Sequence, residues 1–321
     1  MNASQTQGGA TEAGRSWWVE LLKLAVTVCA MGYAVYRAYG EATVLPRPSI
    51  GMLRILTAAG LCYAAGLFCC VLYWSALVVD RGGRPQPLSL LAAYFLGHLA
   101  KYLPGKVWVI LVRATWPVGA GLSTGVLAAT ATQETLFMMG VGGAGGALLW
   151  VATKSAEGSH GAWVSAAVAA VAGVLMIVLS SPLVAGWSRA VRVGDRFREL
   201  AEIRSSTFLR GLLWMSSCWF LLGISLRLVF AALPGPGPPV VGCVAAMAVA
   251  TVVGFVSMLP GGLGSRELVL AAILSSYGVT APALVAAMTR LVWLATEIVC
   301  SVSFLGLAQL ERRIQPPRRN A

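Results

Sequence analysis

Eight ionisable side chains sit within or beside apolar runs: Lys101, Lys106, Arg113, Glu134, Arg266, Glu267, Arg290 and Glu297. A charge at the centre of a membrane helix costs roughly 2.5–3.5 kcal/mol even on the lenient insertion scale, so such residues tend to mark function. Five are cations and three are carboxylates. If every carboxylate pairs with a cation, positive charge is left over, which suits an anionic ligand. All eight are therefore candidate substrate-binding residues. Lysine would act as a point charge, whereas arginine can hold two phosphate oxygens at once.

The same residues carry structural readings. Lys101 and Lys106 can snorkel to an interface, and Arg266 with Glu267 can form a hinge pair. Glu134 and Arg290 can form a buried ion pair, whose breaking would cost about 3–5 kcal/mol whatever its role. Glu297 follows Arg290 by seven residues, which on a helix places both on one face two turns apart. His98, one turn before Lys101, reads as a packed neighbour rather than a proton shuttle. Covalent and metal chemistry find little support. The sequence has no HExxH, GxSxG, P-loop or paired-aspartate motif, and its histidines are two, His98 and His160. The seven cysteines lie in apolar segments without metal-ligand spacing. The expectation is a protein with no catalytic centre, no metal and no cofactor, and no ATPase of its own.

Two helix breaks would position the charges. One is Lys101-Tyr102-Leu103-Pro104-Gly105-Lys106, in the middle of the apolar segment 88–116. The other, within 240–276, is Met258-Leu259-Pro260-Gly261-Gly262-Leu263-Gly264-Ser265-Arg266-Glu267. Proline removes a backbone donor and glycine accepts the angles of a sharp bend, so Pro104, Gly105, Pro260, Gly261, Gly262 and Gly264 are the expected hinge residues. Inside hydrocarbon such breaks survive only when buried in protein or lining a wet cavity. A half-helix begins after each, at Lys106-Val107-Trp108 and Ser265-Arg266-Glu267, and its N-terminus offers N–H groups to an anion.

The surrounding elements are set by composition. Of 321 residues 58% are hydrophobic and 11% charged, against about 25% charged in a soluble domain; lipid must be the solvent. Full spans of about 20 residues or more are expected at 17–39, 51–79, 122–152, 162–187, 209–232 and 280–309. The net charge of +12 gathers in short loops, as Arg189, Arg192, Arg196, Arg198 and Arg204 and as Arg312, Arg313, Arg318 and Arg319. That marks cytoplasmic loops facing anionic lipid rather than nucleic-acid binding. If each broken segment enters and returns on the same side, these loops, Arg81 and Arg84 share the cytoplasmic face with both termini. A single crossing by each would violate the positive-inside rule.

Pro104 precedes Glu134 by 30 residues and Pro260 precedes Arg290 by 30, each ending on a charge in the next span. Each break also follows a half-helix containing a glycine, Gly97 or Gly254. The expected fold is all-α: about six spans plus two re-entrant or broken hairpins in an inverted repeat, the common plan of secondary transporters. Residues 1–16 read as a disordered leader and 17–311 as one transmembrane domain, with halves at about 17–153 and 162–310. Residues 312–321 read as a basic cytoplasmic tail.

The stretches Leu96-Gly97-His98-Leu99-Ala100-Lys101-Tyr102-Leu103-Pro104-Gly105-Lys106-Val107-Trp108 and Leu259-Pro260-Gly261-Gly262-Leu263-Gly264-Ser265-Arg266-Glu267, with Thr289-Arg290-Leu291 downstream, resemble the lysylphosphatidylglycerol synthase transmembrane (flippase-like) domain family. The resemblance implies an integral bacterial or archaeal membrane protein, in the cell membrane, that moves or presents lipids with charged headgroups. The family often has an acidic-basic pair where this chain reads Gln133-Glu134. Its bifunctional members carry a soluble aminoacyl-transferase domain after the membrane part; this chain reaches Ala321 without one, so synthase activity is not expected here. The leading expectation is a flippase for an anionic phospholipid or polyprenyl-linked headgroup. The alternative is a scaffold or accessory subunit for a lipid-modifying glycosyl- or aminoacyl-transferase, which would be its enzyme partner.

Overall fold

The computed structural model describes residues 7–103, 107–155, 171, 173–174, 203–257 and 259–314. The expected span at 162–187 apart from residues 171, 173 and 174, the hinge residues Pro104 and Gly105, the candidate Lys106, Met258 and most of the 189–204 arginine cluster lie outside the described residues.

What is described is helical, with no strand. In chain order the helices are α1 (Gln7–Gly40), α2 (Ile50–Asp80), α3 (Pro87–Ala100), α4 (Val107–Thr115), α5 (Thr124–Ser155), α6 (Ser205–Ala231), α7 (Val240–Val256), α8 (Ser265–Ser275) and α9 (Pro282–Ile314), with 3-10 turns at Ala42–Val44 and Pro260–Gly262. Four of these are long and apolar enough to cross a membrane: α2, residues Thr124–Thr153 of α5, α6 and α9. The expected span 17–39 lies within α1. Helix α1 begins at Gln7, within the stretch read as the leader. Once the apolar part of α1 has nucleated, each further turn costs far less than a new nucleus, so the helix extends back into polar sequence.

Both expected breaks interrupt their segments. At 1.5 Å per residue, α3, α4, α7 and α8 are about 21, 14, 26 and 17 Å long, each shorter than the roughly 30 Å hydrocarbon layer. The halves fold back on one another. A methyl group on Gly97 of α3 would lie 2.9 Å from Arg113 Cγ and 3.2 Å from the Val109 carbonyl of α4. One on Gly254 of α7 would lie 2.9 Å from Arg266 Cβ of α8. In each hairpin a glycine on the entering half lets the arginine-bearing return half come close.

Helix α9 serves as a ruler for both hairpins. At its C-terminal end Arg312 donates to Ser89 Oγ (3.2 Å) and to the Pro117 carbonyl (2.8 Å), tying down the open end of the α3–α4 hairpin. At its N-terminal end the Leu284 N–H donates to Glu41 (2.9 Å), beside the loop from α8. The two hairpins thus enter the bundle from opposite ends and their tips meet along the middle of α9. Helices α2 and α6 pack closely on one another, and α5 packs on α7 of the second hairpin. Their buried core includes Leu67, Trp74, Phe137, Met215 and Leu222.

Candidate functional site

Helix α3 closes at its C-terminus with tight turns, Tyr102 N–H to the Leu99 carbonyl (3.2 Å) and Leu103 N–H to the Ala100 carbonyl (3.1 Å). These aim Lys101 and Tyr102 at α9. Lys101 Nζ lies 2.5 Å from Glu297 Oε1, and the Tyr102 hydroxyl donates to Oε2 at 3.0 Å. The Tyr63 hydroxyl, from α2, also donates to Oε1. His98 Nε2 stands 3.3 Å from that hydroxyl and 3.7 Å from Oε1. Glu297 is 0% exposed, so these groups supply the stabilisation that water would give elsewhere.

At the second tip Gly261, Gly262 and Gly264 take φ of 57°, 65° and 81°, left-handed values that cost an L-residue about 1–2 kcal/mol. The bend exposes the Gly261 carbonyl to Arg290 Nη2 at 3.0 Å. It also brings Gly261 against the Tyr102 ring, from which an added methyl would be 2.8 Å away. The Arg290 guanidinium carbon sits 4.9 Å from the centre of the same ring. Tyr102, Gly261 and Arg290 therefore form the seam between the two tips.

Of the pair Arg266–Glu267, the acid is the one tied to the break. Glu267 Oε2 accepts the Gly264 N–H at 2.7 Å and its Oε1 lies 3.5 Å from Arg290 Nε. The N-terminus of α8, expected to be open to an anion, thus gives one of its donors to the chain's own carboxylate. The expected Glu134–Arg290 pair is replaced by two others. Glu134 Oε2 is 2.7 Å from Arg113 Nη1 and Arg290 is held by Glu267, so each charge ties its own return half-helix to the span that follows. Tyr94 donates to Glu134 Oε1 (3.3 Å), and the Arg113 guanidinium lies 4.0 Å from the Tyr94 ring centre.

Arg266 stands apart. It is 8% exposed, and no carboxylate of the described residues pairs with it. Its Nη2 points at Met247 Sδ (3.2 Å). Its guanidinium carbon lies 4.3 Å from the centre of the Trp293 ring, and that ring is fixed by stacking on Tyr63 at 4.0 Å and by an Nε1–H bond to Ser225 Oγ at 2.9 Å.

These groups surround a cavity of about 230 Å³. Lys101, Arg113, Glu134, Arg266, Gly261 and Gly262 contribute to its wall, with His98, Tyr63, Tyr94, Trp293 and Thr251 among apolar side chains. Glu267, Arg290 and Glu297 stand behind that wall, where Glu297 holds the lining Lys101 and Glu267 pairs with Arg290. Arg113 Nε and Thr251 Oγ1 are buried without a hydrogen-bond partner. Sequence reasoning passed over Tyr63, Tyr94, Tyr102 and Trp293. Their one signal was a polar atom on a ring inside an apolar helix, which must find a partner once buried.

Apolar spans around two half-helix hairpins with a charged cavity at their tips define a multi-pass α-helical membrane protein. The chain belongs to the family described as Lysylphosphatidylglycerol synthase TM region, whose profile matches residues 21–300. No curated protein matches the chain.

Proposed function

We propose that this protein translocates a lipid with an anionic or otherwise charged headgroup across the cell membrane, without catalysing a reaction and without a cofactor. One observation carries the reading: the charged groups of the cavity left with unmet hydrogen-bonding capacity are donors. The carboxylates of Glu134, Glu267 and Glu297 are each engaged by a cation, while Arg266 faces the cavity with no carboxylate of the described residues and Arg113 Nε has no partner. An anionic oxygen satisfies such groups, and a cation does not. Apolar residues make up most of the remaining wall, which suits the lipid end of the headgroup.

The proposal includes six spans and an inverted repeat, with both termini and the arginine-rich loops cytoplasmic. Support for the repeat comes from the opposed entry of the hairpins, their matched glycine–arginine contacts, and the two ion pairs that join α4 to α5 and α8 to α9. Rocking of one half against the other would expose the cavity to each face in turn.

The test is headgroup flipping in proteoliposomes by the native protein and by Arg266→Ala and Arg290→Ala. Native flipping that both variants lose supports the reading. Variants that insert normally and flip at the native rate sink the site assignment. No flipping by the isolated chain, together with co-purification of a soluble transferase, favours a scaffold for that enzyme.

A further inference from the structure

We propose that Glu297 is the proton-coupling carboxylate of the translocation cycle, moving one proton with each monoanionic headgroup; this rests on the translocase reading above. Glu297 lies near the midpoint of α9 and is 0% exposed. The groups that face it come from every neighbouring element: Tyr63 on α2, His98 and Lys101 on α3, Tyr102 at the first tip, with Arg266 on α8 near Tyr63 and Arg290 two turns away on α9. Four of these, Tyr63, His98, Lys101 and Arg266, also line the cavity, so the buried acid meets the cavity contents through them.

Lys101 is the shared ligand. Its flexible stem lets the ammonium reach either Glu297 or an anion in the cavity. When the ammonium leaves, Glu297 keeps only the phenol donors and the nearby imidazole. A buried carboxylate so deprived is far more stable neutral than charged. It takes up a proton from water in the cavity, with the His98 imidazole, 3.7 Å from its Oε1, on the way. The reverse holds equally: protonating Glu297 cancels its attraction for Lys101 and frees the ammonium for the headgroup. Proton on Glu297 and anion on Lys101 therefore favour each other, and the coupling is reciprocal by linkage. The same step loosens the first hairpin tip on α9, since the Lys101 ion pair is lost and the Tyr102 hydrogen bond remains as its tie to Glu297. The charge balance is simple. One negative headgroup and one proton cross together, and both leave on the far side when Lys101 returns to the ionised carboxylate.

The experiment uses the full chain in vesicles of phosphatidylcholine and phosphatidylglycerol, with a trace of fluorescent phosphatidylglycerol scored by external quenching. Inner and outer pH are set independently and the membrane potential is clamped with a potassium ionophore. The expected result is enrichment of the probe in the leaflet facing the more alkaline side, approaching a limit on the order of tenfold per pH unit at one proton per lipid, and indifferent to the clamped potential. Glu297→Gln is expected to lose the pH response whatever its residual rate. Flipping by the native protein that ignores the pH gradient overturns the inference and leaves the translocase reading standing. A gradient response that survives Glu297→Gln overturns the assignment to Glu297. No flipping at all removes both. Should Glu297→Gln fail to insert, the native gradient response and its stoichiometry still decide the coupling, and His98→Gln decides the route, since an unaltered pH response in that variant removes His98 from it.

Discussion

The Arg266 guanidinium lies over the Trp293 ring at 4.3 Å, on the wall of a cavity whose lining carboxylate, Glu134, is held by Arg113. An aromatic face stabilises a cation without neutralising it, by about 2 kcal/mol or more when water is excluded. The charge is thereby kept in the bundle and kept available. This arrangement differs from the three ion pairs around it, where each cation already has its anion.

Replacing Arg266 by Lys tests that distinction. The charge survives, but the planar guanidinium that stacks on Trp293 and can hold two oxygens is lost. Flipping is expected to fall at least tenfold in Arg266→Lys and to vanish in Arg266→Gln. Both should keep a melting temperature in detergent within a few degrees of the native protein, because no carboxylate is left bare. A native rate in Arg266→Lys would mean that charge alone matters.

The tip seam makes a second prediction. Gly261→Ala would force an alanine into φ near 57° and press its methyl to 2.8 Å from the Tyr102 ring. The strain is about 1–2 kcal/mol for the backbone alone, and it is relieved by moving the tips apart. Hydrogen exchange at the Tyr102 and Leu103 amides, which close the end of α3, should quicken in Gly261→Ala while α2 and α6 remain protected. Unchanged exchange at both amides would show that the tips do not bear on each other.

Much of this frame was readable from the residues. Pro260 and its glycines marked the second bend because few other residues accept those angles, and each break followed a half-helix carrying a glycine, Gly97 or Gly254. Partners were not readable. Glu134 and Arg290 occupy matched positions, 30 residues after a proline. Matched spacing speaks of similar roles, not of contact: each binds the half-helix before it. The link from Lys101 to Glu297 spans 196 residues and arises only when two hairpins from opposite ends converge on α9. Tyr63 and Tyr102 were hidden for a related reason, since a ring in an apolar run looks like packing until the carboxylate beside it is known.

Close packing inside the hairpins gives a third prediction. Gly97→Val and Gly254→Val each place a branched side chain where a single methyl would already be 2.9 Å from the facing arginine side chain. Overpacking of this kind costs typically 1–3 kcal/mol, and here it acts between half-helices that hold Arg113 and Arg266. Both variants should melt lower than the native protein in detergent and flip more slowly. Alanine at either position should show the same effects in weaker form. Native melting in both valine variants would mean that the half-helices do not approach as described.

The Arg113–Glu134 pair allows structure and transport to be separated. Both partners are buried, at 2% and 1% exposure, so Glu134→Leu leaves a buried guanidinium without its anion, a loss of about 3–5 kcal/mol. Arg113→Met leaves the carboxylate bare and should cost a similar amount. Replacing both at once removes two charges that neutralise each other and puts apolar side chains against an already apolar wall. The double variant should therefore melt well above either single one and close to the native protein. Its flipping is the informative measurement. Arg113 also lines the cavity with an unpartnered Nε, so a headgroup that uses this donor should move more slowly in the double variant despite the restored fold. If flipping recovers together with stability, the pair only braces α4 against α5, and the donors that meet the headgroup lie around Arg266.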